Sequence, residues 1–334
     1  MSDLIEQDET EQPEQLRQAT VYRKSQGHYW VNLEGKLLRC AISNRLRKQL
    51  LYPTADSSSL HHRVIAVRNI RLVDPVAVGD IVNVVETGEE TGLITQVLPR
   101  RNKLVRKAAG SKPLEQVIAA NLDQVVAVIS AARPEPKWEL LDRYLTAAES
   151  LELPVLICIT KMDLVEIELL ADEVANYRRL GYAVVLTSIE NGEGIVEFKA
   201  GLQNQVSVLM GKSGVGKTSL LNAVQPGLGQ RVGEVSKLNN KGKHTTTSLE
   251  MFGLDEGGSI VDTPGMREFA LWEVGERELA YTFREMRPYL GNCKLGAKCS
   301  HNHEPGCAVK AAVEAGEITL RRYQSYVHLL LGKE

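Results

Sequence analysis

The chain has 334 residues, 43% of them hydrophobic and 25% charged, with 27 Gly and 12 Pro; this suits two or three globular domains and excludes a single small module, a collagen-like repeat or a wholly disordered chain. Its net charge of −2 conceals a segregation: residues 1–20 hold one basic and six acidic side chains, 21–110 fifteen and seven, 111–283 sixteen and twenty-four, 284–334 eight and five. Two basic segments around an acidic middle suit a protein whose ends meet a polyanion.

Residues 1–20, rich in Glu, Gln and Asp, are expected to form an acidic disordered tail. Over residues 21–112, short β-like runs such as Ile81 to Val85 alternate with turn signals at Gly27, Asn32 to Gly35, Asp74-Pro75, Gly79-Asp80, Gly88 and Gly92, which predicts a small β-barrel. A basic concentration, Arg100, Arg101, Asn102, Lys103, Arg106 and Lys107, is the candidate contact for nucleic-acid phosphates. The segment's four aromatics, Tyr22, Tyr29, Trp30 and Tyr52, favour recognition of folded RNA by shape and phosphate over extensive base stacking.

Residues 113–283 change pattern. Buried-strand runs at Val125–Ile129, Val155–Ile159, Ala183–Leu186, Val206–Leu209 and Ser259–Val261 are separated by helical patterns at Trp138–Leu151 and Ile167–Leu180, which predicts an α/β domain with a parallel sheet covered on both faces. Residues 284–334 open with a Cys/His-rich loop and end in a helical run, Ala308–Leu331. The apolar runs fall far short of the roughly 18–20 residues that cross a bilayer, and the acidic N-terminus is unlike a signal sequence, so a soluble, cytoplasmic chain is expected. Cys40 and Cys158, each alone in apolar surroundings, read as small core residues.

The strongest motif is Gly211-Lys212-Ser213-Gly214-Val215-Gly216-Lys217-Thr218, a G-x-x-x-x-G-K-T run between a strand and the helical pattern that starts at Ser219. Its glycines let successive backbone N–H groups wrap a phosphate chain at a helix N-terminus, with Lys217 reaching the β- and γ-phosphates and the Thr218 hydroxyl a Mg2+ ion. Base selection points to Thr160-Lys161-Met162-Asp163, which resembles the Asn/Thr-Lys-x-Asp signature of GTP-binding proteins. A carboxylate there can accept from both N1–H and the exocyclic amine of guanine, a donor pair adenine lacks. Ser188 to Gly194 resembles the S-A-x-x-G-x-G loop that meets the guanine carbonyl, with Ile189 in place of Ala. Asp262-Thr263-Pro264-Gly265 resembles the D-x-x-G element, in which Asp262 serves Mg2+ and Gly265 the γ-phosphate. The stretch from Asn239 to Thr247 offers Thr245, Thr246 and Thr247 as alternative Mg2+ ligands.

Base recognition precedes phosphate binding in this order, the reverse of an ordinary GTPase, and a circular permutation accounts for it because all these loops lie at one sheet edge. Cys293, Cys299 and Cys307, with His301 or His303, form a C-x5-C-x-H-x5-C set able to close a tetrahedral structural Zn2+ site.

Together these motifs resemble the ribosome small-subunit-dependent GTPase A family, over roughly residues 21–330. The likeness rests on Ile118 to Gln124, Thr160 to Asp163, Gly211 to Thr218, Lys243 to Thr247, Asp262 to Phe269 and the cysteine spacing. It implies an N-terminal OB-fold, a central permuted GTPase domain and a small, mostly helical zinc domain in which His301 is the fourth ligand. It further implies GTP hydrolysis to GDP in late maturation of the small ribosomal subunit, with rRNA-stimulated turnover; the expected state is monomeric. Met266 stands where many GTPases place a water-orienting Gln, so intrinsic turnover is expected to be slow, and the resemblance makes His244 the catalytic candidate beside Lys217.

Overall fold

In a computed structural model, the structure describes residues 16–25, 27–47, 74–107, 115–232, 249–262 and 274–332. Strands β1 (Arg17–Ser25), β2 (His28–Leu33), β3 (Lys36–Ile42), β4 (Ile81–Gly88) and β5 (Thr91–Val97) close a five-stranded barrel in the order β1-β2-β3-β5-β4, with β4 returning to β1. Alternation fills it: Tyr29, Val31 and Leu33 of β2 and Leu38 and Cys40 of β3 face inward with Val21, Val82, Val84 and Ile94. Burial pushes the Cys40 thiol up to about 12, so it remains a neutral core group. A one-turn helix, α1 (Asn44–Arg47), follows β3. The antiparallel ladder of β6 (Lys103–Lys107) and β7 (Glu115–Ala120) leads out of the barrel.

The next region alternates strand and helix: β8 (Gln124–Ser130), α2 (Trp138–Ser150), β9 (Val155–Thr160), α3 (Ala171–Arg179), β10 (Ala183–Leu186), α4 (Ile195–Leu202), β11 (Val206–Met210) and α5 (Lys217–Val224). The hairpin strands β12 (Leu249–Gly253) and β13 (Ser259–Asp262) complete the sheet, in the order β10-β9-β8-β11-β13-β12 with only β12 antiparallel. Every residue of β8 and β9 is buried because helices cover both faces. Val125, Ala127 and Ile129 pack with Leu141, Tyr144 and Leu145 of α2, while Val126 and Val128 pack with Phe198 of α4 and Leu220 and Leu221 of α5. The helical pattern expected over Ile167–Leu180 begins as a 3-10 turn, Ile167–Leu170, before α3.

Barrel and sheet are not separate. β1 pairs antiparallel with β12, Arg23 opposite Glu250 and Lys24 opposite Leu249, so eleven strands form one continuous sheet.

The C-terminal unit holds α6 (Glu276–Thr282), a 3-10 segment Arg284–Tyr289, α7 (Ala308–Glu314) and α8 (Leu320–Leu330) around Phe283, Met286, Val309, Ile318 and Tyr326. The helical run expected over Ala308–Leu331 is two helices. Gly316 adopts φ +75°, the Glu317 N–H reaches back to the Ala312 carbonyl at 2.9 Å, and the Thr319 hydroxyl accepts from the Arg322 N–H to start α8.

This unit is clamped to α2 and α3 by charge. Asp142, fully buried, receives Arg321 at 2.7 Å, Arg322 at 2.6 Å and the Tyr177 hydroxyl at 2.6 Å. Arg322 also pairs with Glu285 at 2.5 Å, Arg321 with Glu173 at 2.6 Å, and Glu149 takes both Arg284 and Arg287. Burial alone would raise the Asp142 carboxyl, but Arg322 and Arg321 outweigh it and hold it below the ordinary value.

Candidate functional site

β8 and β11 are adjacent, yet the chain leaves β8 toward β9 and β10 and returns to β11 on the other side. That reversal opens a crevice at the C-terminal strand ends, where ligands of open α/β sheets bind. The loop from Gly211 to Gly216 rises there from β11, with Gly216 at φ +95°, a conformation an L side chain resists, before α5 opens at Lys217. Lys217 Nζ lies within the loop, donating to the carbonyls of Gly211 at 2.6 Å and Lys212 at 3.0 Å. Thr218 and Ser219 are exposed in the first turn of α5, beside the unpaired amides of a helix N-terminus.

The two recognition loops, more than fifty residues apart, are stitched together. The buried Thr160 hydroxyl donates to the Val215 carbonyl at 2.5 Å, and Lys161 Nζ donates to the Gly214 carbonyl at 2.7 Å and to the Arg133 carbonyl. Lys161 itself sits in the left-handed region, φ +62°, which turns the chain so that Asp163 follows on an exposed 3-10 turn. The Ser188 hydroxyl donates to Asp163 Oδ1 at 2.6 Å, which fixes the carboxylate at the exposed turn. Gly194 closes the Ser188 loop, where an added Cβ would lie 1.8 Å from the Leu186 carbonyl oxygen. Thr160, Lys161, Asp163, Ser188 and the loop Gly211–Ser219 therefore share one crevice. Arg133 had no sequence signal; its role is a backbone carbonyl, which residue identity does not advertise.

β13 runs parallel to β11 with Val261 opposite Val208, so the Asp262 backbone reaches the same sheet edge. Gly265, His244, Thr245, Thr246 and Thr247 lie outside the described residues.

In the C-terminal unit, Cys293, Cys299, His301 and Cys307 are all buried, with one donor atom each within 4.8 Å of the others. His301 Nδ1 is 3.4 Å from Sγ of both Cys293 and Cys307, and those sulfurs are 3.9 Å apart. A tetrahedral ion with Zn–S of about 2.3 Å and Zn–N of about 2.0 Å needs edges of about 3.8 Å between sulfurs and about 3.5 Å from sulfur to nitrogen, which Cys293, His301 and Cys307 meet, with Cys299 completing the donor set within 4.8 Å. Burial pushes the Cys299 thiol up to about 12 and lowers His301, which favours the neutral, ligating imidazole. Glu304, which spacing did not single out, organises the loop: its carboxylate accepts from the Ser300 N–H and hydroxyl and from the N–H groups of Asn302 and His303. Those bonds hold it at about 2.

Several residues of the basic stretch also have internal partners. Arg100 pairs with the fully buried Asp80 at 2.6 Å and donates to the Pro75 carbonyl, because a carboxylate at that depth requires a countercharge. Arg101 engages Asp123 and the Asn121 carbonyl, and Asn102 bonds the N–H and carbonyl of Leu122. Lys103 stands in β6; the side chains of Arg106 and Lys107 lie outside the described residues.

A family model described as RsgA GTPase matches residues 97–272, more than half of the chain. The chain belongs to the RsgA GTPase family. Among its relatives, the small ribosomal subunit biogenesis GTPase RsgA of Gemmatimonas aurantiaca is 45% identical over 76% of this chain and 83% of its own length. The protein of the same name from Phocaeicola vulgatus is 37% identical over 85% and 93%. Crystal structures agree: YjeQ from Thermotoga maritima superposes with a TM-score of 0.71 at 31% identity, covering 95% of this chain and 98% of that one. YloQ, described as a circularly permuted GTPase, gives 0.69 at 28% identity, covering 95% of each. The permuted order of the loops is thus a family trait, and the chain is a GTP-hydrolysing enzyme.

Proposed function

We propose that this GTPase binds the small ribosomal subunit and hydrolyses GTP to GDP and phosphate during late subunit maturation, with rRNA accelerating turnover. The observation that carries the nucleotide part is the set of bonds from Thr160 to Val215, Lys161 to Gly214 and Ser188 to Asp163, which joins guanine-reading and phosphate-holding loops into one site. The names of the relatives support the ribosomal part.

In this reading Asp163 accepts from the guanine edge and the aliphatic stem of Lys161 lies along the base. Backbone N–H groups of Gly211 to Thr218 hold the phosphates, Lys217 neutralises the developing charge, and the Gly265 N–H senses the γ-phosphate. Thr218, Asp262 and one of Thr245, Thr246 and Thr247 would hold Mg2+, which supplies charge neutralisation between phosphates. Cys293, Cys299, His301 and Cys307 would hold a structural Zn2+. His244 orients or deprotonates the attacking water when rRNA is bound. Division of labour follows the segments: residues 21–112 and 284–334 meet rRNA, with the basic stretch Arg100, Arg101, Asn102, Lys103, Arg106 and Lys107 offering the phosphate contacts. The GTP state favours the bound arrangement and hydrolysis releases it. A monomer acting in the cytoplasm without membrane contact suits this cycle; among the described residues no helix is long and apolar enough to cross a membrane.

The test is turnover measured with and without purified small subunits. Stimulation that His244→Ala removes supports the reading; equal turnover in both conditions, or equal subunit affinity in GTP and GDP states, overturns it.

A further inference from the structure

Trp30 lies on the outer side of β2, between the buried Tyr29 and Val31, and the barrel core is filled without it. Strand register sets Arg23 of β1 opposite Trp30, and Trp30 opposite Arg39 of β3, so one row across the outer face reads Arg23, Trp30, Arg39. The neighbouring inward pair, Tyr29 opposite Cys40, is buried, which fixes the face on which the row stands. Arg23 Cζ lies 4.7 Å from the indole centroid and is steadied from the other side by Glu250 at 3.9 Å. Arg39 is exposed, with Nη2 2.9 Å from Nε2 of the exposed His28.

An indole on the outer sheet surface, with the Arg23 guanidinium over its ring and Arg39 on the other neighbouring strand, combines a cation-backed π-system with fixed positive charge. Those are the two requirements for holding a splayed nucleobase together with its phosphate. The segment's surplus of eight positive charges, fifteen basic against seven acidic over residues 21–110, matches the same partner. We propose that the row Arg23, Trp30, Arg39 is a binding site for one unpaired nucleobase of RNA, the base stacking on the indole and Arg39 meeting the adjacent phosphate. This rests on the RNA reading above and adds to it a single stacking position, where composition favoured shape and phosphate contacts.

The experiment is equilibrium binding of the full chain to a labelled single-stranded oligouridylate and to a blunt RNA duplex of equal length, over a range of salt. Trp30→Ala is expected to weaken oligouridylate binding about tenfold while leaving its salt slope and the duplex affinity unchanged. Trp30→Phe, which keeps a ring, recovers most of that loss, and Arg39→Gln lowers the salt slope by about one. Thermal melting of each variant checks that the barrel is folded. Wild-type binding of both RNAs with Trp30→Ala unchanged, or with both affinities lowered equally by a folded Trp30→Ala, overturns the stacking site alone. A wild-type chain that holds neither RNA overturns the RNA reading and this site with it.

Discussion

The Thr160 hydroxyl and the Val215 carbonyl meet at 2.5 Å, joining the end of β9 to the middle of the phosphate loop. Thr160→Val keeps the shape but strands a buried acceptor, at a cost of about 1–2 kcal/mol. GDP and GTP affinities are expected to fall together about 5- to 30-fold, with Thr160→Asn restoring most of the loss; nucleotide titration by calorimetry or fluorescence checks it.

In the proposed reading, base choice hangs on Asp163. Exchanging its carboxylate for an amide in Asp163→Asn replaces an acceptor with a donor facing N1–H. Guanine affinity should drop about ten- to a hundredfold, the scale of a charged hydrogen bond, while xanthosine nucleotides gain. Competition between GDP and xanthosine diphosphate reads this out. Ser188→Ala, which frees the carboxylate without removing it, should cost only about 0.5–1.5 kcal/mol.

Metal removal should be felt as order in the C-terminal core. Cys293, Cys299 and Cys307 pack with Phe283, Val309 and Tyr326, and the Tyr326 hydroxyl donates to the Ser300 carbonyl at 2.7 Å. Stripping the ion leaves the thiols close together without a centre, so amide protection across α7 and α8 should collapse and return with added Zn2+. Hydrogen exchange followed by mass spectrometry measures it; protection indifferent to chelation would remove the structural role.

Asp142 gives a pH signature. Its carboxyl is held below the ordinary value, so its contribution to stability is complete above about pH 4 to 5 and is lost as pH falls further through the depressed folded value. Asp142→Asn leaves Arg321 and Arg322 facing a neutral amide, expected to cost about 3–5 kcal/mol at neutral pH. The gap between wild type and variant in urea unfolding of the C-terminal unit should narrow on acidification below pH 4.

Local signals carried much of the site. The strand, glycine loop and helix around Lys217 follow from consecutive residues, as does the Thr160 tetrad at a strand end, and the Cys/His spacing identified four side chains that do converge. Contacts between distant residues left no such trace. Arg100 reads as an open basic side chain because its partner Asp80 lies twenty residues earlier, and burial of that carboxylate follows only from the closed barrel. The clamp from Asp142 to Arg321 and Arg322 spans some 180 positions and has no period. The break between α7 and α8 was written in Gly316 and Thr319, but the apolar run on both sides masked it.

One rung of the sheet has a mechanical consequence. β12 begins at Leu249, two positions beyond Thr247, and its outer neighbour is β1, the strand that also carries Arg23 over the Trp30 ring. In the proposed reading, RNA held at the barrel pulls on β1, whose neighbour is the strand that follows Thr247 in the chain. A slip of one register between Lys24 and Leu249 would be enough to break that link.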